Sequence, residues 1–152
     1  MIKLSIIIVI TVLFSCTSRP NKQTKLLAGK WKVIASNVLP FEHISYCKKL
    51  GLGALFIFDE KGQLKVFTSN TAKENCNSSQ IFSADSSEIV FGEGDMVFSY
   101  SLLKLTNDSL IFRNPHTPQY LFLGAVQTKT EDSIINLISK EGVIVKLVKL
   151  NE

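Results

Sequence analysis

The sequence predicts an all-β domain, built as a sandwich or a barrel. From Ala54 onward, short apolar or alternating segments are separated by turn residues at regular intervals, a pattern typical of such folds. Before this series, Trp31, Val33 and Ala35 alternate along one further segment, so the only Trp lies on one face of a first strand. About 137 residues follow position 15, which is the length of one ordinary domain.

The first fifteen residues have the anatomy of a secretory signal. Lys3 precedes an apolar run from Leu4 to Phe14, and the small Ser15 stands directly before Cys16. The run is about eleven residues long, whereas a membrane-spanning helix needs about twenty. The alternatives are a lipoprotein signal and an ordinary signal peptide followed by an unrelated cysteine.

Leu13-Phe14-Ser15-Cys16 resembles the lipobox of bacterial lipoproteins. The resemblance implies that residues 1–15 are removed and that Cys16 carries a thioether-linked diacylglycerol and an acyl group such as palmitate. Each buried methylene of these chains adds about 0.8 kcal/mol of membrane affinity. Thr17, in place of Asp, implies the outer membrane, with the domain in the periplasm or at the cell surface. Residues 16–25 are polar and are expected to form a tether.

Charge and cysteine content narrow the possible partners. The net charge of +4 is scattered along the chain, and no basic stripe predicts a nucleic-acid partner. Once Cys16 is lipidated, Cys47 and Cys76 form an even pair in a compartment that permits disulfides. A bridge between them would close a loop of about thirty residues and stabilise the fold by about 3 kcal/mol. Two separate thiols are the alternative.

The remaining elements follow from local patterns. Residues 37–53 contain Pro40, Gly51 and Gly53, and are expected to form a long loop with room for one helical turn. Seven further strands are predicted after this loop: Ala54–Phe58, Gln63–Thr68, Gln80–Ala84, Glu88–Phe91, Met96–Leu105, Ser109–Arg113 and Gln119–Val126. Residues 131–140 are predicted to form a helix that ends before Gly142, followed by a final strand over residues 143–148.

Gly29-Lys30-Trp31, placed ahead of eight strands, a helix and a final strand, is similar to the lipocalins, and the short chain resembles lipocalin-like lipoproteins of bacteria. The resemblance implies an eight-stranded antiparallel up-and-down barrel, with Trp31 closing one end. It also implies a basic residue over the indole, either Lys129 or Arg113. Thr106-Asn107-Asp108 matches the family's second motif without its Tyr. Closure of the barrel would remove exposed strand edges.

An eight-stranded barrel holds either packed side chains or one small ligand. Our leading hypothesis is a small hydrophobic or amphipathic ligand bound at the barrel mouth, with residues 37–53 at the entrance. The candidate ligand-binding residues are Phe41, Tyr46, Phe56, Phe58, Phe98 and Tyr100. The alternative is a filled barrel that acts as an envelope protein–protein interaction module, either an inhibitor or an assembly accessory. Ten Phe residues are compatible with both.

The sequence does not predict an enzyme. His43 and His116 are expected to be solvated loop residues. A Cys–His nucleophile built from His43 and Cys47 would need a thiolate, which a disulfide removes. The carboxylates of Asp59, Glu60, Glu93 and Asp95 are expected in hairpin turns, where they are solvated. No phosphate-binding glycine loop, nucleophile elbow, zinc-protease or paired-cysteine motif occurs, so neither a cofactor nor a metal is expected.

Overall fold

The computed structural model describes residues 21–43, 47–68, 80–115 and 129–151. Its elements, in chain order, are α1 (Lys22–Leu27), β1 (Gly29–Ser36), β2 (Phe41–His43), β3 (Cys47–Leu50), β4 (Leu55–Phe58), β5 (Gln63–Phe67), β6 (Gln80–Ala84), β7 (Glu88–Glu93), β8 (Met96–Leu105), β9 (Ser109–Asn114), α2 (Lys129–Glu141) and β10 (Val143–Lys149). Eight of the ten strands form one closed antiparallel barrel, which confirms the predicted fold class.

The barrel is of the up-and-down type. Its strand order is β1-β10-β9-β8-β7-β6-β5-β4, so the final strand β10 closes the barrel between β1 and β9. The sequence predicts eight strands before the helix and one strand after it. In the structure the strand after the helix is itself the eighth member of the barrel. The predicted strand Gln119–Val126 lies outside the described residues.

Alternation along the strands explains where the core lies. Leu64 and Val66 of β5 are buried while their neighbours Gln63 and Lys65 are exposed. Ile89 and Phe91 occupy the corresponding inward positions of β7. Because each strand sends alternate side chains inward, the barrel encloses a single continuous apolar core.

The two ends of the barrel differ in their connections. We call the end with the short hairpin turns at residues 59–62, 85–87 and 106–108 the turn end. We call the opposite end, where strands β1, β5, β7 and β9 end, the loop end. Turn chemistry at the turn end is as predicted, since the Asp59 carboxylate accepts hydrogen bonds from the backbone N–H groups of residues 61 and 63 at 2.8 Å.

Helix α1 covers the turn end, which corrects the tether prediction for residues 22–25. Asn21 caps the helix by accepting a hydrogen bond from the Thr24 N–H at 2.8 Å, and its amide donates to the Ala84 carbonyl of β6. Thr24 and Leu27 are buried against the barrel. The described fold therefore begins at Asn21, and the polar composition of the segment reflects the exposed side of a short docked helix.

At the loop end the structure has a small two-stranded sheet, β2–β3, within the segment predicted to be a long loop. Phe41 and Leu50 of this sheet are buried. The proline and glycines that predict a loop lie outside its two strands, at positions 40, 51 and 53. The extended residues between them could therefore pair, and their apolar side chains attach the sheet to the core.

Helix α2 leads into β10 and confirms the predicted helix, with a start two residues earlier. Ile138 is buried, and Ile134, Ile135 and Leu137 pack against the core. Gly142, at φ +73°, ends the helix and donates its N–H to the Ile138 carbonyl at 2.7 Å. In the described part of the chain, neither helix has the length and apolar character needed to cross a membrane.

Candidate functional site

Buried polar side chains gather at the loop end of the barrel. His43 of β2, Gln80 of β6, Glu93 of β7 and Asn114 of β9 are all buried, and so is Tyr100 of β8. We call these five residues the polar cluster. Gln80 is the first residue of β6 and Asn114 is the last residue of β9. In both strands every second side chain points into the barrel, and these two polar residues occupy the last inward positions at the loop end.

His43 is enclosed by aromatic rings, which corrects its prediction as a solvated loop residue. Its side chain is 0 % exposed. The ring centroids of Phe56, Phe91 and Tyr100 lie 4.9, 4.7 and 5.6 Å from that of the imidazole. All three rings meet the imidazole edge to face, an arrangement that stabilises aromatic pairs. Strand β2 thus inserts a polar ring into an aromatic pocket.

The hydrogen bonding of His43 is incomplete. Its Nε2 lies 3.3 Å from the Oε1 atom of Gln80. The imidazole Nδ1 and the Gln80 Nε2 are both buried, and neither has a hydrogen-bond partner in the part of the protein that the structure describes. A buried polar atom that lacks a partner costs about 1–3 kcal/mol, so such atoms are rare without a role.

Burial fixes the charge of this histidine. Desolvation lowers the pKa of His43 from 6.5 to about 3, and the hydrogen bond to Gln80 opposes this change without reversing it. The imidazole is therefore neutral near pH 7. A neutral imidazole has one N–H donor and one acceptor nitrogen, so the site can exchange hydrogen bonds with a ligand but offers it no positive charge.

Asn114 and Tyr100 form a second hydrogen-bonded pair within the polar cluster. The Asn114 amide Nδ2 donates a hydrogen bond to the Tyr100 hydroxyl at 3.0 Å. Tyr100 also lies in the aromatic core, with its ring 5.0 Å from that of Phe91 and 5.5 Å from that of Phe112. The side chain of Tyr100 therefore links the polar mouth to the apolar interior.

Glu93 differs from its prediction as a solvated turn carboxylate, because it is buried as the last residue of β7. Gly94, at φ +59°, makes the turn one residue later. The strand is consequently long enough to place Glu93 two positions beyond the inward-facing Phe91. Alternation applied to residues 89, 91 and 93 would have identified it as an inward position.

Most of the predicted ligand-binding residues belong to the core. Phe56 and Phe58 stack at 6.3 Å, and Phe58 meets Phe82 edge to face at 4.9 Å. Phe98 is partly buried against this group. In the middle of the barrel these rings touch one another, so the interior is filled there by aromatic side chains.

Of the predicted set, Phe56 and Tyr100 are brought against His43, and Phe41 lies on the same strand as that histidine. Tyr46 lies outside the described residues. The structure therefore divides the predicted residues between the filled middle of the barrel and its loop end.

The basic residue over the Trp31 indole, at the turn end, is Lys149. The prediction of Lys129 or Arg113 for this position is therefore wrong. The Lys149 Nζ lies 5.3 Å from the ring centroid and donates to the Leu26 carbonyl at 3.2 Å. Arg113 instead points outward and donates to the Ser101 hydroxyl at 3.2 Å. The side chain of Lys129 is outside the described part of the structure. Lys149 reaches the indole because it pairs directly with Trp31 across β1 and β10.

The predicted lipidation and disulfide sites are not covered by the structure. Cys16, Cys76 and His116 lie outside the described residues, as does the side chain of Cys47. Among the side chains that are described, no group of three or more His, Cys, Asp or Glu residues could hold a metal ion. The bridge and the lipid anchor stay predictions.

Comparison of the chain with protein-family models, with curated proteins and with solved structures finds no match. The barrel and the polar cluster at its loop end are therefore the features from which a function can be inferred.

Proposed function

We propose that this protein is a lipid-anchored, lipocalin-like barrel that binds a small hydrophobic or amphipathic molecule at its loop end. The anchor would be the acylated Cys16, which would hold the protein on the outer membrane, with the barrel in the periplasm or at the cell surface. The proposal includes neither catalysis nor a cofactor. Its structural support is the closed antiparallel barrel and the Gly29-Lys30-Trp31 motif at the start of β1.

One observation carries the binding proposal: the His43–Gln80 pair is buried among aromatic rings with two hydrogen-bonding atoms unused among the described residues. Ligand sites typically combine apolar walls with a few such polar groups. The filled middle of the barrel favours a shallow site, in which the ligand binds between the β2–β3 sheet and the barrel rim.

The β2–β3 sheet is the best candidate for a lid. In the described chain its two strands pair with each other and with no barrel strand. Burial of Phe41, His43 and Leu50 attaches it to the barrel. An element attached by side chains can separate from the barrel without breaking any backbone ladder, so β2–β3 could open while the barrel stays closed.

The direct test is to look for a bound molecule. The lipoprotein is purified from its own membrane, extracted with organic solvent and compared by mass spectrometry with a Phe41→Asp variant, whose buried carboxylate should detach the lid. We expect a compound that the wild type retains and the variant loses. Absence of any retained compound, together with no binding of fluorescent fatty-acid or fatty-alcohol probes, would contradict the proposal.

A second candidate is a filled barrel that presents its surface to another envelope protein. The ring contacts in the barrel interior favour it. So does an apolar patch on the outer surface, where Ile81 and Val97 are 63 % and 72 % exposed on either side of Gly92. A photo-crosslinker at position 97 should then form one discrete adduct in intact cells, whereas a crosslinker at the exposed Lys65 should not.

A further inference from the structure

We propose that the turn end of the barrel docks on an anionic phospholipid surface, with the groove between α1 and β8 holding a phosphate group and the upper part of an acyl chain. The loop end and its lid then point away from the bilayer. This inference rests on the lipid anchor in the proposed function, because it specifies which face of the anchored protein meets the membrane.

The length of chain between the anchor and the barrel limits the orientation. Cys16 precedes Asn21 by five positions, so their Cα atoms can lie at most about 18 Å apart. Asn21 is fixed at the turn end, where its amide donates a hydrogen bond to the Ala84 carbonyl of β6. Strand β8 runs for ten residues from the loop end to the turn end, which corresponds to about 25 Å along the axis of a barrel with tilted strands. If the loop end faced the membrane, Asn21 would lie farther from the bilayer than the chain can reach.

A groove at the turn end has the composition that a phospholipid requires. It has a volume of about 320 Å³ and lies between α1 and the last residues of β8. Its lining includes four leucines and two lysines, and no carboxylate is among the described residues that line it: Lys22, Leu26, Leu102, Leu103, Lys104 and Leu105. Apolar walls beside two ammonium groups match the acyl chain and the phosphate of an anionic lipid.

A β-bulge in β8 exposes the apolar wall of this groove. Leu102 pairs with Phe112 and Lys104 pairs with Ile111, so Leu103 is an extra residue between the two pairs. Leu103 and Lys104 are consequently both exposed, although strict alternation would turn one of them inward. A leucine and a lysine side by side suit the boundary of a bilayer, where the apolar side chain enters the acyl region and the ammonium stays among the phosphates.

The acidic side chains of the neighbouring turns are held within those turns. The Asp85 carboxylate accepts hydrogen bonds from the backbone N–H groups of residues 87 and 88, and the Asp108 carboxylate accepts one from the Thr106 hydroxyl. The acidic turn at residues 59–62 joins β4 to β5, and neither strand borders the groove. Among the described residues, the charge placed at the groove is therefore positive, on the side of the barrel from which the chain continues towards its anchor.

The experiment measures which end of the full lipidated protein meets the bilayer. The protein is held in nanodiscs made of equal parts of phosphatidylglycerol and phosphatidylcholine, with a nitroxide quencher on the head group of some phosphatidylcholine molecules. A fluorescent noncanonical amino acid replaces either Asn107, at the turn end, or Val97, at the loop end. Both residues are exposed and lie near opposite ends of β8, so the quenching of each probe reports the distance of that end from the head groups.

We expect the probe at position 107 to be quenched at least about three-fold more than the probe at position 97, given their separation along β8. Each lysine at an anionic surface favours docking by about five-fold, so Lys22→Ser combined with Lys104→Ser should lower the ratio of docked to undocked protein by about 25-fold. Two fluorescence lifetimes of the probe at position 107 give this ratio. The control Lys65→Ser combined with Lys146→Ser removes the same charge from exposed sites on β5 and β10 and should leave the ratio unchanged.

Equal quenching of the two probes, or stronger quenching at position 97, would overturn the inference while it leaves the anchor intact. The inference would also be overturned if the docked fraction is the same in pure phosphatidylcholine nanodiscs or survives the substitution of Lys22 and Lys104, because the tether alone would then orient the barrel. The comparison of the two lipid compositions needs no substitution in the groove. If mass spectrometry of the protein from its own membrane finds no diacylglycerol on Cys16, the anchor in the proposed function fails and the inference fails with it.

Discussion

At the turn end of the barrel, the buried indole N–H of Trp31 and the ammonium of Lys149 each have a carbonyl partner, at 2.6 and 3.2 Å. At the loop end, the corresponding buried groups of His43 and Gln80 share one contact at 3.3 Å and leave two atoms unused among the described residues. The rings of Trp31 and His43 are both 0 % exposed. The two ends differ in whether their polar atoms are satisfied by the protein itself.

The difference in hydrogen-bond satisfaction suggests different roles for the two ends of the barrel. A satisfied polar group adds to stability, whereas an unsatisfied buried group lowers it and persists where function requires it. The turn end therefore has the character of a structural plug, and the loop end is where we propose that a ligand binds.

The largest effect is expected at the plug. Trp31→Ala should destabilise the protein by about 3–5 kcal/mol, because it leaves a large cavity and removes the donor to the Leu27 carbonyl. Urea denaturation followed by far-UV circular dichroism measures the change. A loss below about 1 kcal/mol, the range of ordinary surface substitutions, would show that α1 and the indole do not close this end.

A pH titration tests the loop end. The pKa of His43 is about 3 in the fold and 6.5 in the unfolded chain, so below pH 6.5 the unfolded state binds one more proton than the folded state. Stability should then fall by about 1.4 kcal/mol per pH unit as the pH decreases from 6.5 towards 3.

The measurement compares the His116→Gln protein with and without His43→Gln between pH 6.5 and 4.5, where the two should differ in slope by about 1.4 kcal/mol per pH unit. Hydrogen bonds from Ser87 and Thr106 lower the pKa values of Asp85 and Asp108 from 3.8, so these carboxyls change stability mainly below this window, and both proteins share that contribution, which cancels from the comparison. Equal slopes would mean that His43 is accessible to protons in the folded state.

A smaller effect is expected where β1 begins. Gly29 has φ +125°, and an added Cβ would lie 2.7 Å from the Lys149 Cε. Gly29→Ala should therefore cost about 2 kcal/mol through backbone strain and displacement of the lysine from the indole. Gly51→Ala is the matched control, because nothing lies within 4 Å of its added Cβ, and it should change stability by less than about 0.5 kcal/mol. Thermal unfolding distinguishes the two.

The smallest expected change has the opposite sign. The double variant His43→Leu, Gln80→Met removes both unsatisfied groups together and should stabilise the protein by about 1 kcal/mol. Each single variant should be less stable than the double variant, since it leaves the other polar group without its partner. A destabilised double variant in urea titrations would show that the loop end is optimised for stability like the turn end.

Local patterns predict most of the fold but little of the site. Alternation of residues 64 and 66 predicts the buried face of β5, and the spacing of Ile134, Ile135, Leu137 and Ile138 predicts α2. These elements need only their own residues to be recognised. Lys149, by contrast, reaches Trp31 through the pairing of the first and last barrel strands, and no local pattern contains that register.

Local sequence patterns also predict only part of the polar cluster. Gln80 and Glu93 lie on the inward side of β6 and β7, and the alternation of buried and exposed residues along these strands is enough to predict that both are buried. His43 lies on a three-residue strand between a proline and two glycines, where the sequence favours a loop. Its burial depends on the docking of β2 onto the barrel, which is a tertiary event.

The pairing of β1 with β10 also determines when the barrel can form. These are the first and last barrel strands along the chain, so closure requires contacts of high sequence separation, and such topologies fold on millisecond-to-second timescales. Until β10 arrives, β1 and β9 each present an unpaired edge that can join another chain. The chain is therefore most prone to aggregate just before its last strand is placed, and a chaperone for this protein would have to cover those two edges.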